Sequence, residues 1–98
     1  MNEPVLPAAD VDAALAEQAI AWERHGDELT TSVTLRDFAG ALQFVNAVGA
    51  AAEAANHHPD IDIRWNTVTL TLSTHSAGGL TVLDLALAAA IDRLRPQR

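Results

Sequence analysis

Hydrophobic and polar residues alternate with period two in three stretches of the chain. Leu29, Thr31, Val33 and Leu35 interleave with Thr30, Ser32 and Thr34. Ile61, Ile63 and Trp65 interleave with Asp62 and Arg64, and Val68, Leu70 and Leu72 with Thr67, Thr69, Thr71 and Ser73. Alternation rich in β-branched residues predicts half-buried strands, because successive side chains point to opposite faces of a sheet. A tight turn near Asn66 joins the last two strands into a hairpin. His25-Gly26-Asp27 joins residues 28–35 to an earlier strand over residues 20–23.

The remaining segments carry the helical period. Phe38, Leu42, Val45 and Val48, extended by Ala41 and Ala52, predict a helix over residues 38–55, with Asp37 as its cap. Leu80, Leu83, Leu87, Ile91 and Leu94 form a second stripe. Thr81 stands at its N-cap, Asp84 at the capping-box position, and Pro96 beyond its end. Val11, Leu15 and Ala19 predict a short helix over residues 8–18, with Asp10 and Asp12 at the positive end of its dipole. The order α-β-β-α-β-β-α predicts an α+β fold: a four-stranded antiparallel sheet with helices packed on one face. Residues 1–7, broken by prolines, are expected to be a flexible arm, and residues 8–98 a single domain.

Composition narrows the function. With 98 residues the chain supports one small core, and oligomerisation is expected to supplement it. The net charge is −7, and all six basic residues are arginine. No basic stripe exists to contact phosphates, which argues against nucleic acid and against an anionic membrane surface. Cysteine is absent, so thiolate nucleophiles and disulfides are excluded. There is no signal-like start and no long apolar run, so a cytoplasmic protein is expected.

Two of the four histidines adjoin at the end of the alanine-rich helix, in Asn56-His57-His58-Pro59. Pro59 disfavours helical backbone at His58, so the helix ends there. Glu53 lies four residues before His57 and, on a continuing helix, shares its face; a carboxylate there would orient the imidazole. His58, in extended backbone, points elsewhere. His75 ends the last strand among Ser73, Thr74 and Ser76, before Gly78-Gly79. Titratable groups at a helix end and a strand end suit general acid–base work near neutral pH, if the fold unites them. The plainer readings are that His57 is a helix cap and Asp84 an ordinary helix-start acid. A zinc site is the competing chemistry, but histidines at i and i+1 diverge and no i, i+4 pair occurs. His25, in the first hairpin turn, is expected to be solvated and idle.

The spaced pattern Glu53, Asn56-His57-His58-Pro59-Asp60, Trp65-Asn66, Val68 to Leu72, Ser73-Thr74-His75, Gly79-Leu80-Thr81 and Asp84 closely resembles the pterin-4a-carbinolamine dehydratase family. Trp22 and Asp37-Phe38 agree with it. The resemblance implies dehydration of 4a-hydroxytetrahydropterin to quinonoid dihydropterin and water, within tetrahydropterin recycling, without metal or cofactor. It implies His57 and His75 as proton donors to the leaving hydroxyl, and His58 as a pterin holder with a share in base duty. Glu53 would orient His57. Asn56, Ser73, Thr74 and Ser76 would line the pterin site, with Pro59, Trp65 and Asp84 supporting it. The chain departs from some relatives at Asn56, Ile61 and Ser76, which touches the rim and not the three histidines. The implied partners are a small pterin, an aromatic amino-acid hydroxylase upstream, and further copies of the chain as a homodimer or homotetramer. The alternative is a non-catalytic interaction module on the same fold, either a transcription-factor dimerisation cofactor or an assembly chaperone.

Overall fold

A computed structural model describes residues 3–96. In chain order the elements are α1 (Ala8–Glu17), β1 (Glu23–His25), β2 (Glu28–Thr34), α2 (Phe38–Ala55), β3 (Asp60–Arg64), β4 (Thr67–Leu72) and α3 (Val82–Asp92). The strands form one antiparallel sheet in the order β1-β2-β4-β3. The chain leaves β2, runs up α2, descends β3 on the far edge and inserts β4 between them.

The register explains the core. Leu29 lies opposite Leu72, Thr31 opposite Leu70 and Val33 opposite Val68, so one face carries the apolar row. That face packs on Val11 of α1, on Ala41, Phe44, Val48 and Ala52 of α2, and on Leu85, Leu87, Ala88 and Ile91 of α3. Thr31 sits on this face without orphaning its hydroxyl, which donates to the Ala21 carbonyl and receives the Arg95 guanidinium. The opposite face is a ladder of hydroxyls, with Ser32 bonded to Thr69 and Thr34 to Thr67.

Several expectations need correction. The first strand is residues 23–25, not 20–23, and the turn is Gly26-Asp27 alone, with Gly26 at φ 61°. Ile20 and Trp22 are buried in the core instead of paired in the sheet. The Ala21 backbone N–H and the Trp22 indole N–H both donate to the Asp92 carboxylate, which replaces the strand partners. On α2, Phe38 and Leu42 face outward and Phe44 takes the core position. Apolar residues ring this helix, so periodicity did not select a single face. Trp65 is not a strand residue; it opens the β3–β4 turn at φ 53° and stacks on Phe38, ring centroids 6.4 Å apart.

Of the expected arm, Met1 and Asn2 lie outside the described residues. Further along, Leu6 packs against the core and donates its N–H to the Leu80 carbonyl at 2.8 Å.

Candidate active site

The site starts at the end of α2. Asn56 adopts the left-handed conformation, φ 50° and ψ 43°, which asparagine tolerates better than most residues. Its N–H bonds back to Ala52 and Glu53, and the His57 N–H reaches the Ala52 carbonyl at 3.1 Å. This is a Schellman closure: it satisfies the last carbonyls and turns the chain sharply. His57 therefore leaves the face that Glu53 occupies.

Turned inward, His57 places Nε2 2.6 Å from Asp84 Oδ1. Asp84 is fully buried and the His57 side chain is only 11% exposed. The other carboxylate oxygen, Oδ2, accepts from the Thr74 hydroxyl at 2.7 Å and from the Thr81 N–H at 2.9 Å. Thr81 closes the α3 capping box, accepting the Leu83 N–H and sharing a 2.9 Å bond with the Thr74 hydroxyl. Every buried side-chain polar atom among the described residues has a partner. An ionised carboxylate can only accept, so against Asp84 a His57 proton lies on Nε2. Nδ1 is left free to exchange a proton with a ligand.

Glu53 does not orient His57, as the helical spacing suggested. Its carboxylate bonds to His58 Nε2, and this pair is exposed on both sides. The i, i+4 rule assumes that helix continues through residue 57, and the left-handed Asn56 breaks that assumption. Asp84 takes the role expected of Glu53, from 27 residues away. It is a helix cap and a histidine partner at once.

His75 follows Thr74 directly, in a loop closed on itself. The Thr74 N–H reaches the Gly79 carbonyl, and Ala77 and Gly78 donate back to the Thr74 carbonyl. His75 and Ser76 are exposed. The bonded series His57–Asp84–Thr74 thus joins the end of α2, the start of α3 and the residue preceding His75. The Ser73 hydroxyl is committed to the Asp27 carbonyl of the first hairpin turn. Asn56 is exposed and serves its helix through the backbone. Pro59 separates His58 from β3. Trp65 lies at the far end of β3, beside the N-terminal end of α2; an 18-residue helix, about 27 Å long, separates that end from the histidines.

Thr81, predicted as a cap, also belongs to this cluster. The available signal was a hydroxyl three residues before Asp84, which doubles as a buried partner only once Thr74 packs against it. An apolar groove of about 390 Å³ runs from His57 between α2 and α3, lined by alanines and by Leu83 and Leu87. Among the described residues no three histidine or carboxylate groups are placed to hold a metal ion. His25 is exposed beside Glu23 on β1.

The family model for pterin 4 alpha carbinolamine dehydratase matches residues 4–94. A protein of Nocardia farcinica, provisionally named pterin-4-alpha-carbinolamine dehydratase, is 59% identical over 74% of this chain and 77% of its own length. The crystal structure of a transcriptional coactivator/pterin dehydratase from Brucella melitensis superposes with a TM-score of 0.86 at 29% identity, covering 94% of this chain and 99% of that one. A pterin dehydratase-like protein, identified as a RuBisCO assembly factor in the alpha-carboxysome, shares the fold alone. Its TM-score is 0.63 at 23% identity, over 79% of this chain and 89% of its own. A match over nearly the whole domain, on a fold with the same order of elements, makes this chain a member of the pterin-4a-carbinolamine dehydratase family.

Proposed function

We propose that the protein dehydrates 4a-hydroxytetrahydropterin to quinonoid dihydropterin and water by histidine acid–base catalysis. The observation that carries this reading is the buried His57–Asp84 pair, bonded through Thr74 to the root of the His75 loop. The C4a–O bond breaks as the hydroxyl takes a proton and departs as water. The N5 lone pair forms the C4a=N5 bond, and the N5 proton is lost. Electrons balance without an oxidant, so no redox cofactor is required, and proton donation to the hydroxyl does the work that a Lewis acid would otherwise do. His57, through Nδ1, and His75 serve as donors toward the hydroxyl. His58, held by Glu53, contacts the pterin and takes the N5 proton. Positioned acid–base catalysis is worth about 10²–10⁴-fold, enough for a reaction that also proceeds unaided.

The substrate would be supplied by an oxygenase that hydroxylates aromatic amino acids at the expense of tetrahydropterin, and the product would return to the tetrahydropterin pool. A cytoplasmic homodimer or homotetramer suits the exposed edge strand β3 and the outward Phe38, Leu42 and Trp65.

The test is the initial rate of dehydration of freshly generated carbinolamine, with and without protein. Acceleration is expected. His75→Ala should lower turnover about 10²-fold with a smaller change in KM, since it removes a donor that acts in the transition state. Folded wild-type protein that gives no acceleration rejects the enzyme. In that event the exposed stack of Phe38 on Trp65 favours the second reading, an interaction module that uses the same fold.

A further inference from the structure

The loop that carries His75 is closed at residue 79, and residue 79 is glycine for a spatial reason. Its φ is not in the left-handed region, unlike that of Gly78 at 78°, so the backbone there would accept alanine. The space would not. A Cβ built on Gly79 falls 2.9 Å from Val5 Cγ1 and 3.5 Å from Val5 Cγ2. Val5 thus occupies the volume that a side chain at 79 would need. The next residue, Leu6, is tied to the Leu80 carbonyl and rests on the core, which tethers the half-exposed Val5 from the neighbouring position.

The base of the His75 loop is therefore gripped on several sides. Thr74 bonds to Asp84 inside the protein. Ser73 bonds to the first hairpin turn. Val5 covers Gly79, which pairs with Thr74 across the loop base. The first two contacts hold residues before His75; on the returning limb, where Gly79 also pairs with Thr74, Val5 is the side chain nearest to the Gly79 Cβ position.

We propose that Val5 is a positioning residue for His75, acting through its packing on Gly79. This rests on the assignment of His75 to the dehydration. A misplacement near 1 Å can cost about 100-fold, so the methyl introduced by Gly79→Ala should lower kcat about tenfold and leave KM within about twofold. Val5→Ala alone, which opens a gap, should lower kcat about threefold. The two changes are reciprocal: in Gly79→Ala/Val5→Ala the new methyl fills the space vacated by the old ones. That double variant should recover most of the wild-type kcat.

The experiment measures kcat and KM for the four proteins, together with the His75 imidazole resonances by NMR. Resonances displaced in each single variant and restored in the double variant are expected. Unchanged kcat in Gly79→Ala, or a double variant as slow as the slower single one, overturns the proposal. If Gly79→Ala fails to fold, Val5→Ala decides alone, and unchanged kcat with unmoved resonances overturns it. If wild-type protein shows no dehydration, the functional reading has failed, and the resonances then decide the packing relation by themselves.

Discussion

Asp84 is where one residue decides most. Its carboxylate is buried and accepts from His57, Thr74 and the Thr81 N–H, so each oxygen is committed. Asp84→Asn separates its two duties. The amide oxygen can still accept from Thr74 and Thr81, which preserves the cap. The amide nitrogen then faces His57 and donates, so Nε2 must become an acceptor and the ring proton moves to Nδ1. Opposite an amide the imidazolium that gives the Nδ1 proton in the wild type has lost its counter-charge, and a neutral ring is too weak an acid to pass that proton to the leaving hydroxyl. We expect Asp84→Asn to fold and to lose about 10²-fold or more in turnover. Nitrogen NMR of His57 should show the exchanged tautomer. Asp84→Ala, by contrast, strands three polar groups and should cost roughly 3 kcal/mol of stability in chemical denaturation. Unaltered turnover in Asp84→Asn would leave the residue as a cap only. The exposed Glu53–His58 pair is a weaker contact of the kind worth about 0–1 kcal/mol, and its loss should leave stability nearly untouched.

At the scale of elements, the end of α2 sets the direction of the histidines. Asn56, expected to line the pterin site, supplies a left-handed backbone turn. Asn56→Gly suits that backbone and should leave stability and turnover close to wild type. Asn56→Val should lose about 1–2 kcal/mol, because a β-branched residue is strained in that conformation. Thermal unfolding and initial rates of both variants check this; a slow but stable Asn56→Gly would restore a direct role for the side chain. Strands β2 and β4, all of α2 and the α3 cap were legible in the sequence, since period and capping are local. The β1 boundary was not, because Ala21 and Trp22 satisfy their donors on Asp92, 71 and 70 residues away. The inward face of α2 was half legible: its alanines and phenylalanines permit several stripes, and the sheet beneath selected the one through Phe44 and Val48.

The whole molecule is closed by contacts between its ends. Asp92 and Arg95 at the end of α3 tie residues 21, 22 and 31 together, while Arg24 of β1 pairs with Asp12 of α1 at 2.8 Å. The hydrogen bond and charge of Arg24 hold the Asp12 carboxyl below its ordinary value of 3.8. A group with a lowered pKa in the folded state stabilises above its unfolded pKa and loses that contribution as pH falls through the folded value. Asp12→Asn should therefore melt slightly below wild type at neutral pH, and the two should converge as the solution is acidified below the ordinary aspartate range. Melting curves across pH check the sign; a difference that persists unchanged in acid would refute the assignment. Solvent reaches the pair, Asp12 more than Arg24, so salt should also shrink the difference.

By itself the sequence determined the number, type and order of the elements, because hydrophobic period, β-branching and caps act over a few residues. Through its resemblance to a known family it also pointed to His57, His58 and His75 as the candidates. Tertiary structure alone decided which carboxylate meets which histidine. One left-handed residue after Ala55 rotated His57 away from Glu53, and packing of α3 brought Asp84 to it across 27 positions. Local rules count residues along a continuing helix; once the chain turns, partners are chosen by whatever else the core has packed alongside.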